Sequence, residues 1–254
     1  MIDSPNPTEE RLRKKYVLVF SPRSVFIFLA SIALAFIMLS IFGRFLMWHV
    51  PQSYTKLWRL IPMFDVNLEY NFPAFYSSML LLMSAVLLAY ISFAIRSWQG
   101  KYYLHWLGLA GIFLFLALDE MLAIHEIFTD PMRSKLNADG FFYYTWVIPY
   151  ALFVIAVGLV YIRFLRHLPK RIRNIFILSG ALYIGGALVL EMAVGYIVRA
   201  DLGSDTLVYM MATTEEHIEE LLEMLGVSLF IYALLLYIRM KLKRVTIQLI
   251  SSDV

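Results

Sequence analysis

Cysteine is missing from the 254 residues, which rules out a disulfide framework and any thiolate nucleophile or thiolate metal site. Charge is also scarce. Asp, Glu, Lys and Arg make up 16% of the chain against 61% hydrophobic residues, where roughly 45–50% apolar is ordinary for a soluble domain. A water-soluble fold cannot hide that much apolar surface. The strict apolar/polar alternation of a membrane barrel is lacking as well, so backbone groups in lipid must be satisfied within helices.

Long apolar runs fill the chain. They fall at about 24–46, 74–96, 103–127, 143–164, 174–198 and 215–238, each near the ~20 residues that cross a hydrocarbon layer as a helix. The fold expected is therefore all-α: a polytopic bundle of about six transmembrane helices in one domain over 24–238, flanked by polar segments 1–23 and 239–254. The run that follows Arg11, Arg13, Lys14 and Lys15 is long enough for a retained first span rather than a cleaved leader. Pro51, Pro62, Gly100, Pro131, Asn137, Gly140, Pro169, Gly203 and Ser204 punctuate the connections.

The net charge of +3 arises from basic blocks between apolar runs, a signature of membrane topology rather than of nucleic-acid binding. Lys and Arg gather in alternate segments: the N-terminus, Arg96 with Lys101, Arg163 to Arg173, and Arg239 to Arg244. By the positive-inside rule these are cytoplasmic, which puts both termini inside. A bacterial inner (plasma) membrane is the location expected. Lys56 and Arg59 balance Asp65 and Glu69 in the first outer connection. Ala181, Gly185, Gly186 and Gly195 give the fifth span a narrow face for close helix contact.

Acids and histidines interrupt three spans. The third ends in Asp119, Glu120, His125 and Glu126; the fifth carries Glu191; the sixth opens with Glu215, Glu216, His217, Glu219, Glu220 and Glu223. The alternating helix directions bring all of them to the outer side. On one continuous helix Asp119 and Glu126 would lie within about 20° of each other, and Glu216, Glu219, Glu220 and Glu223 within about 100°. Thr213 to Glu216 also reads as a capping box at the start of the sixth helix. Acids near the C-terminus of the third helix oppose its dipole, so local structure supplies no reason for them.

Carboxylates gathered in a low-dielectric site cannot all stay ionised without cations. Arg44 and Arg199 near outer ends, shared protons or bound metal are the remedies available. Carboxylate and imidazole together suit iron, manganese or zinc. The set resembles di-iron carboxylate bundles in residue types alone, since their Glu-x-x-His spacing is absent and His217-x-x-Glu220 runs in reverse. Five histidines are too few for the His-rich boxes of membrane desaturases.

The expected metal ligands are Asp119, His125, Glu126, Glu191, Glu216, His217 and Glu220, with Glu120 and Glu223 as catalytic bases. The function that follows is a metal-dependent membrane enzyme acting on a lipid or other hydrophobic substrate. The alternatives are a proton or divalent-cation transporter or channel, and a structural subunit whose acids bridge helices through hydrogen bonds.

Overall fold

A computed structural model describes residues 21–199 and 205–242, with the side chains of Phe128, Asp130, Arg199 and Asp205 to Leu207 excepted. The basic cluster at Arg11 to Lys15, the turn at Gly203 and Ser204, and Lys243 with Arg244 lie outside the described residues. The described chain is helical and contains no strand. Its α-helices are α1 (Pro22–His49), α2 (Thr55–Leu60), α3 (Phe72–Ser97), α4 (Tyr103–Leu122), α5 (Ile124–Leu136), α6 (Val147–His167), α7 (Lys170–Ile184), α8 (Glu191–Arg199) and α9 (Asp205–Lys241). A π-helical stretch, Gly185–Leu190, joins α7 to α8. Six helical segments are long and apolar enough to cross a membrane: α1, α3, α4, α6, Lys170–Val198 and Val208–Lys241.

Local chemistry accounts for several ends. Pro22 and Pro73 occupy first-turn positions, where a missing N–H costs nothing. Asn71 caps α3 by accepting from the Ala74 N–H. The long helix expected over 103–127 is instead broken at Ala123, which sits in the left-handed region at φ 48° and separates α4 from α5. Pro131, expected to mark a loop, lies inside α5. The sixth span begins well before Thr213, so the expected capping box is mid-helix and caps nothing.

Helices α3 and α9 form the centre, with half of each span buried against about a fifth of the others. Helix α9 packs on α1, α3, α7, the π stretch and α8. Two apolar clusters hold this centre. One joins Ile91, Trp106, Phe164, Ile172, Phe176 and Leu234; the other joins Ala33, Ile37, Leu81, Ala117, Met224 and Ile231. Polar side chains satisfy backbone carbonyls between helices: Tyr76 Oη donates to Leu29 O at 2.7 Å and Ser78 Oγ to Ala117 O at 2.7 Å.

Small residues set the α7–α9 spacing. A Cβ on Gly226 would lie 2.9 Å from Tyr183 N and 3.0 Å from Ser179 O, and one on Gly186 would lie 2.9 Å from Glu219 O. The neighbour of the fifth span's narrow face is therefore α9. Gly195 meets Gly140 and Tyr143 instead, and Gly185 has open space. Helix α6 is attached differently. Its backbone comes close to the π stretch alone among the stronger contacts, and side chains tie its ends. Tyr161 Oη donates to His105 O at 2.9 Å, and just before α6 Thr145 Oγ1 donates to Thr129 O at 2.7 Å.

Candidate functional site

The gap behind α6 is a cavity of about 610 Å³, walled by α4, the start of α5, α6, α7, the π stretch, α8 and α9 and by the connection before α3. At one end it is lined by nine carboxylates: Glu69, Asp119, Glu120, Glu126, Glu191, Glu216, Glu219, Glu220 and Glu223. His125 is the single histidine among the lining residues, which include no Lys or Arg. Towards the other end the walls are apolar and aromatic, with Leu109, Phe153, Val157, Phe164, Leu165 and Ile177. The third, fifth and sixth spans do meet around one polar space. The fourth span supplies much of its apolar wall, with Phe153, Val157, Phe164 and Leu165.

The break at Ala123 gives the mouth its shape. Once α4 ends, the chain turns so that the His125 N–H donates to Asp119 Oδ1 at 2.9 Å, and His125 Nδ1 lies 3.4 Å from Asp119 Oδ2. Asp119 is thereby a holder of His125. It leaves Nε2 as the ring nitrogen not engaged by that carboxylate, the arrangement by which outer carboxylates orient metal-binding imidazoles. One ligand atom each from Glu69, His125 and Glu126 lie within 4.8 Å of one another, close enough to share an ion. Asp119, expected as a ligand, stands outside this trio, and the shared helix face expected for Asp119 and Glu126 is lost with the continuous helix.

Glu69 is not a candidate by sequence, where Lys56 and Arg59 balance its charge. It directly precedes Tyr70, at φ 59°, and the Asn71 cap of α3. Its Oε2 is buried without a hydrogen-bond partner. Burial raises the Glu69 carboxyl above the ordinary carboxylate range, Glu126 and Asp119 add to that, and His125 opposes it. For His125, burial works against the charged ring, but the hydrogen bond and charge of Asp119, with Glu69 and Glu126, prevail and raise it above the ordinary histidine value.

The other expected ligands divide. Glu191 lines the cavity at the start of α8 and accepts from Trp146 Nε1 at 3.2 Å. Glu216 also lines it, 3.7 Å from Arg44 Nη2. Glu120, Glu219, Glu220 and Glu223 face the same space deeper in, and no hydrogen bond from a described side chain reaches them. His217 does not reach the cavity. Its Nδ1–H donates to Thr213 O at 2.6 Å, and Ser40 Oγ lies 3.0 Å from Nε2. Both ring nitrogens meet protein atoms, so His217, expected as a metal ligand, is not among the residues that gather around the cavity. Its surroundings are a buried polar knot in which Arg44 donates to Asp65 Oδ1 at 3.0 Å and to Thr213 Oγ1 at 3.0 Å. This knot ties α1 to α9 and to the connection that carries Glu69.

With this geometry in view, a family model matches residues 24–238, most of the chain and every helix that walls the cavity. The chain belongs to the family described as a domain of unknown function, DUF8692. No curated protein and no solved structure matches it. The family description carries no activity, so chemistry has to be argued from the site.

Proposed function

We propose that this protein is a metal-dependent membrane enzyme of six transmembrane helices, acting on a lipid or another hydrophobic substrate at the outer side of the bilayer. The observation that carries the proposal is the Glu69, His125 and Glu126 trio at the mouth of a cavity whose far end is apolar. A divalent ion held there, with iron, manganese or zinc all suited to such donors, would offset the surplus negative charge. It would polarise a substrate carbonyl or phosphoryl oxygen, or lower the pKa of a bound water. Asp119 holds the imidazole, and Glu120 or Glu223 serves as the base that accepts a proton.

The orientation rests on charge. Arg96 and Lys101, Arg163 to Arg173, and Arg239 with Lys241 gather at the end opposite the acids, where Tyr102 stacks near His167 and Trp106 near Tyr237. That end is cytoplasmic by the positive-inside rule, in a bacterial inner membrane, with both termini inside. The apolar far wall of the cavity speaks against an ion-conducting path and favours an acyl chain. Metal analysis of the purified protein is the test. About one ion per chain is expected, retained after dialysis and lost in Glu69→Ala with His125→Ala. Wild-type protein that holds no ion after exposure to zinc, manganese and ferrous iron overturns the proposal.

A further inference from the structure

The cavity has two unlike ends, and both bear on what fills it. Its width does not come from close helix packing. Gly158 on α6 and Gly180 on α7 line it, and a Cβ added to either would meet nothing within 4 Å. These glycines differ from Gly186 and Gly226, where the neighbouring backbone leaves no room. At about 610 Å³ the space falls inside the ~300–1,000 Å³ range of small-molecule pockets. Helix α6 is tied near its two ends, through Trp146 and Glu191 and through Tyr161 and His105. Its middle exposes Leu152, Ile155 and Leu159, none of which lines the cavity, while Phe153, Val157 and Gly158 face inward.

The polar end is one-sided in charge. An ion on Glu69, His125 and Glu126 would sit at the mouth, and it would leave Glu120, Glu219, Glu220 and Glu223 without a hydrogen bond from a described side chain or a Lys or Arg on the cavity wall. Shared protons or a cation that donates hydrogen bonds would relieve such a cluster, and the apolar shaft beside it favours a cation that carries a hydrocarbon chain. An ammonium group donates three, which matches several carboxylates converging on one point. A metal ion alone would leave the apolar shaft unexplained; an uncharged lipid alone would leave the acids uncompensated.

We infer that the cavity binds a single-chain amphiphile with an amine head, its ammonium among Glu120, Glu220 and Glu223 and its hydrocarbon chain running past Gly158 and Gly180. This inference deepens the lipid-substrate proposal and rests on it for the role of the cavity, while using none of the three metal ligands.

The test is photolabelling of the full-length protein in nanodiscs with a hexadecylamine that carries a diazirine and an alkyne on its chain. Hexadecylamine, hexadecanol and hexadecanoic acid serve as competitors of equal length. Labelled peptides are expected from α6 and α7, with the amine competing at least about tenfold better than the alcohol or the acid, as charge-assisted hydrogen bonds imply. Glu120→Gln with Glu223→Gln should abolish that preference, and Gly158→Leu with Gly180→Leu should suppress the labelling at an unchanged melting temperature. Equal competition by the three heads in wild-type protein, or labelling confined to helices that do not line the cavity, overturns the inference even if the glycine variant fails to fold. Metal content, read on wild type without the amine, reports separately on the proposal beneath it.

Discussion

Asp119 illustrates how one side chain can matter more by what it holds than by what it binds. It is 6% exposed and accepts from the His125 backbone while meeting the imidazole edge. Asp119→Asn keeps the shape and removes the charge. A zinc titration should show affinity reduced ~10–100-fold, with Asp119→Ala at least as damaging, as for other outer-shell partners. Protons compete for the same atoms. Glu69 and His125 both hold their protons to higher pH than their ordinary values, and a metal must displace them. Zinc affinity should therefore be weaker at about pH 6 than at about pH 8, and more so than for free imidazole. Equal affinity at both would remove His125 from the ligand set. Most acids of this site stand out in the sequence because a carboxylate deep in an apolar run is costly and points to a function by default. Glu69 is not, since it lies in a connection where nearby basic residues account for its charge. Nor is the engagement of His217, because its partners Ser40 and Thr213 are ordinary residues whose meeting depends on how α1 packs on α9.

At the scale of elements, the same residue type has opposite meanings. Gly226 lets the α7 backbone approach, and Ala there would press a methyl group against Tyr183 N and Ser179 O, atoms that cannot swing aside. Thermal unfolding should show Gly226→Ala destabilised by about 1–3 kcal/mol. Gly111, in the interior of α4, has nothing within 4 Å of where a methyl group would stand, so Gly111→Ala should be neutral or stabilise by up to about 1 kcal/mol through helix propensity. If both substitutions behave alike, the close α7–α9 approach is not what holds those helices. Hydropathy makes the spans visible because burial in lipid leaves a run of ~20 apolar residues. It conceals the break at Ala123, since alanine is the best helix former and its left-handed conformation is imposed by tertiary contacts. It also conceals the early start of α9, whose first turns contain polar residues that read as a connection.

For the whole molecule, the orientation and the place of the cavity mouth are one question. The natural absence of cysteine makes it simple to ask. Ser53 and Ser97 are exposed at opposite ends of the bundle, and Ser→Cys at either is nearly isosteric. In intact cells a membrane-impermeant maleimide should label Ser53→Cys, while Ser97→Cys should react only after permeabilisation. The reverse result would place the carboxylates on the cytoplasmic face. The π stretch ahead of Glu191 bears on descent as well as on shape. A π turn takes one residue more than an α turn, so it absorbs a surplus residue that in a regular helix would swing everything beyond it by about 100°. A chain of the same length with a regular α-helix over Gly185–Leu190 would keep the same hydropathy, yet aim its acid away from the cavity, whereas one residue fewer there would keep the aim. A single-residue gap in this short stretch is therefore compatible with the same site, because it exchanges a π turn for an α turn without moving Glu191 off the cavity.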